Sequence, residues 1–197
     1  MIYLASQSPR RRQLLDQLGV AHELLLADAS EDAEALETHI VGESPEAYVQ
    51  RVTALKLGAA MQRLQARALP PMPVLCADTT VALGDTILGK PADHAEALAM
   101  LRQLKGRTHR VLTAVSLGWG SQSAQLVSVS QVSFADIPAA QLERYVASGE
   151  PMGKAGAYAI QSQLAGWIPH IAGSYSGIMG LPLYETAELL RRAGIDC

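Results

Sequence analysis

The residues best suited to chemistry cluster near the start of the chain, in the segment Ser6-Gln7-Ser8-Pro9-Arg10-Arg11-Arg12. A short apolar strand precedes it, Ser8 is a suitable N-cap, and Pro9 suits the first position of a helix. A helix N-terminus carries about half a positive charge, so Asp or Glu is the usual residue there. Arginines would instead hold an anion together with the backbone amides. The segment therefore predicts an anion-binding turn.

The three consecutive arginines are not equivalent. Arg10 and Arg11 lie three or four residues from Leu14 and its neighbour, on or beside the apolar stripe of the predicted helix. Arg12 lies four residues before Asp16 and can form an ordinary surface ion pair. We therefore interpret Arg10 and Arg11 as the anion-binding pair and Arg12 as a bystander.

A second candidate group is acidic. Asp78 directly follows the apolar run Val74–Ala77, where a carboxylate is costly unless it is paired, hydrogen-bonded or metal-bound. It either caps its own backbone at a turn or joins Glu31 in supplying oxygen ligands to a hard divalent cation. The other acids of the loop around Glu31 are interpreted as a solvated surface run: Asp28, Asp32, Glu34 and Glu37.

Lysine is scarce, with four residues in the chain against twelve arginines. Lys56 falls on the inner half of a long predicted helix, Lys90 follows a glycine at the end of a strand, and Lys154 lies in a glycine-rich loop. Their scarcity draws attention to these three lysines, and Lys90 can reach a phosphate as a point charge.

A partial match to a phosphate-binding loop occurs at residues 84–90. The first seven positions fit, but the eighth is Pro91, which has neither a hydroxyl group nor an amide hydrogen. The flanking residues also predict a hairpin turn at Gly84-Asp85 rather than a strand followed by a helix. The segment is therefore not interpreted as a P-loop.

Composition limits the possible functions. The chain has 197 residues, 49% hydrophobic and 18% charged, with a net charge of −3, which predicts one globular domain over residues 1–197. The acidic total argues against a dedicated nucleic-acid or membrane-surface binder. Cys76 and Cys197 form no metal-binding or disulfide motif. No signal or membrane-spanning segment is recognised, so we expect a cytoplasmic protein.

Helical and strand patterns alternate along the chain, and antiparallel hairpins are mixed in. We therefore expect an α/β protein with a mixed sheet rather than a doubly wound parallel one. The segment 153–180 is predicted as strands and tight loops. The predicted strands are 2–5, 23–26, 74–83, 86–88, 108–118 and 125–134, with a turn at 118–123, and the predicted helices are 9–18, 45–67, 93–104, 138–148 and 182–192.

Six short segments, in register over nearly the whole chain, resemble the Maf family of nucleoside triphosphate pyrophosphatases: 4–11, 77–79, 90–91, 104–109, 154–161 and 180–183. The resemblance implies an inosine triphosphate pyrophosphatase-like fold, a long mixed β-sheet with flanking helices and a cleft between two lobes. It also implies a cytoplasmic enzyme, often a homodimer, that needs a divalent metal cation, Mg²⁺ or Mn²⁺. Such enzymes cleave a nucleoside triphosphate between the α and β phosphates.

The resemblance also implies a set of site residues. Asp78 would be catalytic, Glu31 and Asp78 would hold the metal, and the substrate would be bound by Ser6, Arg10, Arg11, Lys56, Lys90 and Gln161. The residues around Gln161 resemble the branch that acts on dTTP and UTP, and an amide that donates and accepts suits the imide edge of uracil or thymine. Two positions depart from the family pattern: Ser162 stands where Gly is common, and Gly177 where Asn is frequent.

Two other functions stay open from the sequence. One is a pyrophosphatase for 7-methyl-GTP or another modified nucleotide, and the other is a non-catalytic nucleotide sensor that regulates septum formation. The presence of both Glu31 and Asp78 favours catalysis. The expected partner is a nucleoside triphosphate, with no nucleic acid and no membrane.

Overall fold

A computed structural model of the chain describes residues 1–28, 31 and 35–197. In that part of the chain, seven strands form one sheet and six α-helices flank it. The strands are β1 (Ile2–Leu4), β2 (His22–Leu24), β3 (Val74–Leu83), β4 (Thr86–Leu88), β5 (Thr108–Trp119), β6 (Gln122–Ser133) and β7 (His170–Ala172). The helices are α1 (Pro9–Gln17), α2 (Pro45–Ala66), α3 (His94–Leu104), α4 (Ala139–Ala147), α5 (Tyr175–Met179) and α6 (Leu183–Arg192).

The sheet is mixed, as the sequence predicts. Its strand order is β2-β1-β3-β5-β6-β7, with β4 paired to β3 outside this path. β1 runs parallel to both β2 and β3, whereas β3, β4, β5, β6 and β7 pair antiparallel. Residues 84–90 lie in and after the β3–β4 hairpin, which confirms that they are not a P-loop.

Strand β3 has helices on both of its faces, which is why its sequence is an almost continuous apolar run. Successive side chains of a strand point to opposite faces. Leu75 and Ala77 accordingly pack in a core cluster with residues of α1 and α6, and Cys76 packs with residues of α2. By the same alternation, Asp78 belongs to the α2 face of the sheet, and the next residue, Thr79, belongs to the α1 face.

The long hairpin of β5 and β6 extends further than its sequence indicates. Residues 118–123 are predicted as a Gly- and Ser-rich turn, but Gly118 pairs with Ser123 and Trp119 with Gln122 in the ladder. Only Gly120 and Ser121 remain as the turn, with Gly120 at φ 57°. This prediction is wrong because a two-residue turn allows the polar residues beside it to pair.

The prediction for residues 153–180 is also partly wrong. Besides β7, the segment contains 3-10 turns at Ala155–Ala157 and Gln163–Trp167 and the helix α5. Helix α5 has five residues and is started by Ser174, whose Oγ accepts a hydrogen bond from the Gly177 amide at 3.0 Å. An element this short shows no helical periodicity in the sequence. Among the described residues, no helix is long and apolar enough to cross a membrane.

Candidate active site

A cleft of about 770 Å³ lies where the first turn, β3, α2 and the loop before the 155–157 turn meet. Its lining includes seven of the eight predicted site residues: Ser6, Arg10, Arg11, Glu31, Lys56, Asp78 and Lys90. Gln161 is not among the lining residues; it follows the lining residue Ile160 and is itself exposed. The tertiary structure thus brings the residues predicted for phosphates and metal together around one cleft.

Arg11 joins the first turn to two other parts of the chain. Its Nε donates to the carbonyl oxygen of Gly180 at 2.7 Å, its Nη1 lies 3.3 Å from Ser6 Oγ, and its Nη2 lies 3.4 Å from Thr79 Oγ1. Burial lowers the pKa of the Arg11 guanidinium, with Asp78 acting in the opposite direction. A guanidinium has five N–H donors, so Arg11 orients the turn and still has donors for a ligand.

Arg10 and Lys154 line the cleft, and no ion pair is formed by either of them with the described residues. Within the described part of the chain, neither side chain has a carboxylate oxygen within 4.0 Å, and the Lys154 ammonium donates to the Glu150 carbonyl oxygen. Burial and the nearby Arg10 lower the pKa of Lys154. Two neighbouring cationic side chains without a carboxylate partner among the described residues can bind an anion.

Lys56 and Lys90 have the opposite environment, because both are paired with carboxylates. Lys56 Nζ lies 2.6 Å from Asp78 Oδ1 and 2.7 Å from Glu37 Oε1. Lys90 Nζ lies 3.0 Å and 2.8 Å from the two carboxylate oxygens of Glu37. The alternation of β3 and the packing of α2 on that face explain why Lys56 meets Asp78.

The assignment of Glu37 to a solvated surface run is therefore wrong. Burial would raise the pKa of Glu37, but Lys56 and Lys90 outweigh it and hold the pKa below its ordinary value. No local pattern marks this residue, because it closes a three-residue 3-10 turn, Ala35–Glu37, and its partners are distant in sequence. Two other members of that run, Asp32 and Glu34, lie outside the described residues.

Glu31 lines the cleft but is held by an arginine of α2. Arg63 Nε and Nη2 lie 2.7 Å and 2.6 Å from the two Glu31 oxygens, and Nη1 donates to the Leu25 carbonyl oxygen at 2.8 Å. The hydrogen bonds from Arg63 lower the pKa of Glu31. The role of Glu31 as a metal ligand stays a prediction, and Arg63 is a cleft residue that sequence reasoning missed.

The cleft contains carboxylates that could take part in holding a divalent cation. Among the described residues, no group of three or more His, Cys, Asp or Glu side chains gathers around a possible metal position. Mg²⁺ typically uses one or two carboxylates together with phosphate oxygens and water. Asp78 and Glu31, which both line the cleft, are of the residue type that such a site uses.

The loop that contains Lys154 is fixed by a glycine. The Gly156 amide donates to the Gly89 carbonyl oxygen at 3.0 Å, next to Lys90. Gly156 has φ 66°, and a Cβ there would lie 2.8 Å from Val81 Cγ1. Only a residue without a side chain fits this approach to β3. The glycine thus brings the loop of Lys154 and the strand end of Lys90 to the same cleft.

The two departures from the family pattern have local explanations. Ser162 caps the 3-10 turn that follows it, because its Oγ accepts a hydrogen bond from the Leu164 amide at 3.2 Å. A Cβ at Gly177 would lie 3.1 Å from Ser174 Cβ, so a larger residue there requires a shift. Neither position lines the cleft.

A mixed α/β sheet whose cleft brings cationic side chains together with the carboxylates of Glu31, Glu37 and Asp78 is suited to holding phosphate chains. The family model described as Maf-like protein matches residues 1–193, and the chain belongs to the Maf family. It is 62% identical over 194 residues to the dTTP/UTP pyrophosphatase of Polaromonas sp. (strain JS666 / ATCC BAA-500), covering 98% of this chain and 96% of that one.

Two further comparisons differ widely in their level of similarity. The chain is 61% identical over 193 residues to the dTTP/UTP pyrophosphatase of Albidiferax ferrireducens (strain ATCC BAA-621 / DSM 15236 / T118), covering 98% of this chain and 96% of that one. The solved structure of the Staphylococcus aureus Ham1 protein superposes with a TM-score of 0.44 at 16% identity, covering 68% of this chain and 72% of that one.

Proposed function

We propose that this protein hydrolyses dTTP and UTP to the nucleoside monophosphate and pyrophosphate. The names of relatives about 60% identical over almost the full length support this substrate class. The observation that best supports the reaction is that the cationic side chains of the cleft around Asp78 fall into two groups, one paired with carboxylates and one not. Arg10, Arg11 and Lys154 have no carboxylate partner in the described chain, while Lys56 and Lys90 lie beside Asp78 and Glu37.

The chemistry is an in-line attack of water on the α-phosphorus, for which positioning and charge neutralisation suffice. Arg10 and Lys154, with Ser6 and the free donors of Arg11, bind the phosphate chain. Lys56 and Lys90 offset the charge that develops on the leaving pyrophosphate. Lys56 also holds the Asp78 carboxylate at 2.6 Å, which orients it toward the cleft.

A divalent cation, Mg²⁺ or Mn²⁺, belongs to this proposal. Asp78 would hold it together with substrate phosphates, and Glu31 lines the same cleft. When bound, such an ion neutralises phosphate charge and lowers the pKa of a water molecule. An ordinary aspartate is a weak base at neutral pH, so the role of Asp78 proposed here is to hold the cation and orient the water rather than to take its proton.

Base recognition is assigned to Gln161, whose amide can both donate to and accept from the imide edge of uracil or thymine. Because Gln161 is exposed in this structure, it would contact a base at the edge of the cleft. We propose that residues 1–197 act as one domain, that the enzyme is a cytoplasmic homodimer, and that nucleic acid is not a partner.

The test replaces Asp78 with Asn and measures pyrophosphate release from a nucleotide panel with Mg²⁺ or Mn²⁺. The wild type should prefer dTTP and UTP, and Asp78→Asn should lower kcat by about 100- to 10,000-fold without loss of the fold. Asp85→Asn is the matched control, because that carboxylate lies fully exposed at the hairpin turn. Near-wild-type hydrolysis by Asp78→Asn would contradict the assignment, and preference for 7-methyl-GTP would contradict the substrate.

A further inference from the structure

The Glu37 carboxylate lies between Lys56 and Lys90, the two lysines that the proposed function assigns to the leaving pyrophosphate. Both of its carboxylate oxygens lie within 3.0 Å of Lys90 Nζ, and Oε1 also lies 2.7 Å from Lys56 Nζ. A carboxylate that contacts two ammonium groups in this way copies the geometry with which two phosphate oxygens would meet them. The side chain is only 24% exposed, so it is held inside the cleft rather than at its mouth.

The backbone around Glu37 is anchored to α2, which keeps the carboxylate near the lysines. The Tyr48 hydroxyl donates to the Glu37 carbonyl oxygen at 3.0 Å, and Arg51 Nη2 donates to the Thr38 carbonyl oxygen at 2.9 Å. Arg51 is itself held by a bidentate ion pair with Glu43, in which Nε lies 2.7 Å from Oε1 and Nη2 lies 2.6 Å from Oε2. The backbone at Glu37 and Thr38 is thus held by two side chains of α2.

Charge in the cleft is therefore balanced on one side only. Lys56 and Lys90 are matched by the carboxylates of Glu37 and Asp78, whereas Arg10 and Lys154 have no carboxylate within 4.0 Å in the described part of the chain. An anion that enters the cleft meets free positive charge at Arg10 and Lys154. It meets neutralised charge at Lys56 and Lys90.

We propose that Glu37 is an internal competitor for phosphate, which occupies Lys56 and Lys90 until the phosphate chain of a nucleoside triphosphate displaces it. This inference rests on the proposed function, because it takes the two lysines to be phosphate contacts of the same reaction. Glu37 is then a residue that determines specificity. It weakens the binding of inorganic phosphate, which is a common solute, and of pyrophosphate, which is a product of the reaction, and it thereby favours release of pyrophosphate.

The selectivity follows from linkage between the two ends of the ligand. A triphosphate already held at Arg10 and Lys154 presents its remaining phosphates to the lysines at a high effective concentration, so it displaces Glu37 efficiently. Pyrophosphate left at the lysines lacks the nucleotide part of that attachment. It must compete with a carboxylate that never leaves the protein, and its binding is weaker as a result.

The experiment measures the dissociation constant of inorganic pyrophosphate by calorimetry, first in EDTA and then with Mn²⁺. Glu37→Gln keeps the shape of the side chain and removes its charge, and we expect pyrophosphate to bind about tenfold more tightly, or about 1.4 kcal/mol. Glu37→Asp retains the charge but shortens its reach, and it should give an intermediate value. Glu46→Gln is the matched control, since it removes one carboxylate at the exposed start of α2 and should leave the constant unchanged.

Two outcomes would overturn the inference. Unchanged pyrophosphate binding in Glu37→Gln would show that the carboxylate does not compete, and weaker binding confined to the Mn²⁺ series would show that Glu37 instead holds the metal. Neither measurement requires turnover, so both remain informative if dTTP and UTP are not hydrolysed. Thermal unfolding of each variant confirms that the folded protein is compared.

Discussion

At the scale of single residues, Arg10 and Arg11 are adjacent in sequence but have different roles. Arg11 is tied by hydrogen bonds to Gly180, Ser6 and Thr79. Arg10 points into the cleft, and within the described residues it has no ion-pair partner. We therefore expect Arg11 to stabilise the protein as well as the site, and Arg10 to act on the ligand alone.

This difference predicts that Arg11→Met lowers the free energy of unfolding by about 2 kcal/mol, because it leaves the buried Gly180 carbonyl without its charged donor. Arg10→Met should change that free energy by less than about 0.5 kcal/mol while raising KM for dTTP about tenfold or more. Urea unfolding and steady-state kinetics measure the two effects. An equal loss of stability in both variants would contradict the division.

At the scale of elements, the loop from Lys154 to Tyr158 is positioned by its packing on β3. Gly156 lies against the Val81 side chain, which leaves no space for a Cβ. Tyr158 packs in the neighbouring core, and its hydroxyl oxygen lies 2.8 Å from His109 Nε2. The sequence Lys-Ala-Gly-Ala-Tyr thus places a cation at the cleft from a loop whose last three residues are buried. The position of Lys154 depends on this packing and not on a regular element of its own.

Replacing Gly156 with Ala should therefore damage both stability and activity. The added Cβ would lie within 3.0 Å of three Val81 atoms at a positive φ, and we expect a loss of about 2 kcal/mol or more in unfolding free energy. KM should rise because Lys154 is displaced. Gly166→Ala is the control, since a Cβ there meets nothing within 4 Å. Equal stability of the two variants, measured by thermal unfolding, would contradict this account.

At the scale of the whole molecule, stability at mildly acidic pH depends on a buried histidine. His109 is 2% exposed in the core cluster that packs α3 and α4 on the sheet, with its ring near Phe134 and Tyr158. Burial lowers the pKa of His109 to about 4. The folded protein thus keeps this ring neutral at a pH where the unfolded chain, with a pKa near 6.5, already binds a proton.

The free energy of unfolding should therefore fall as the pH drops from about 6.5 to about 4, because the unfolded state binds the additional proton. Titration of this one group lowers the free energy of unfolding by up to about 1.4 kcal/mol for each pH unit within that window. His109→Gln removes the titration, so its stability should vary less over that window. Urea unfolding at several pH values measures the free energy of unfolding of the wild type and of His109→Gln. If the two free energies fell equally with pH, the assignment to His109 would be contradicted. Carboxylates with lowered pKa values, such as Glu31 and Glu37, begin to lose their stabilising contribution near their ordinary pKa of 4.5, at the lower end of this window, and continue to lose it below that.

Local patterns were sufficient to predict much of the fold. The bounds predicted for β3 and β4 agree with the structure, because alternation, turn residues and prolines act on sequence neighbours. The predicted N-cap Ser8 accepts a hydrogen bond from the Arg11 amide. The prediction that the first turn binds an anion rests on arginines at a helix N-terminus, which oppose its dipole, and the structure places Arg10 and Arg11 in the lining of the cleft.

What the sequence determined by itself is most of the elements before residue 153 together with the last helix, the mixed sheet and the family motifs that contain Arg10, Arg11 and Asp78. Only the tertiary structure decided which charges meet. Glu37 reaches Lys56 across 19 residues and Lys90 across 53, and Glu31 reaches Arg63 across 32. Such pairs depend on how α2 and the loops pack on the sheet. A local pattern describes only the nearest neighbours of a residue, so it cannot tell a solvated carboxylate from one that lies between two lysines.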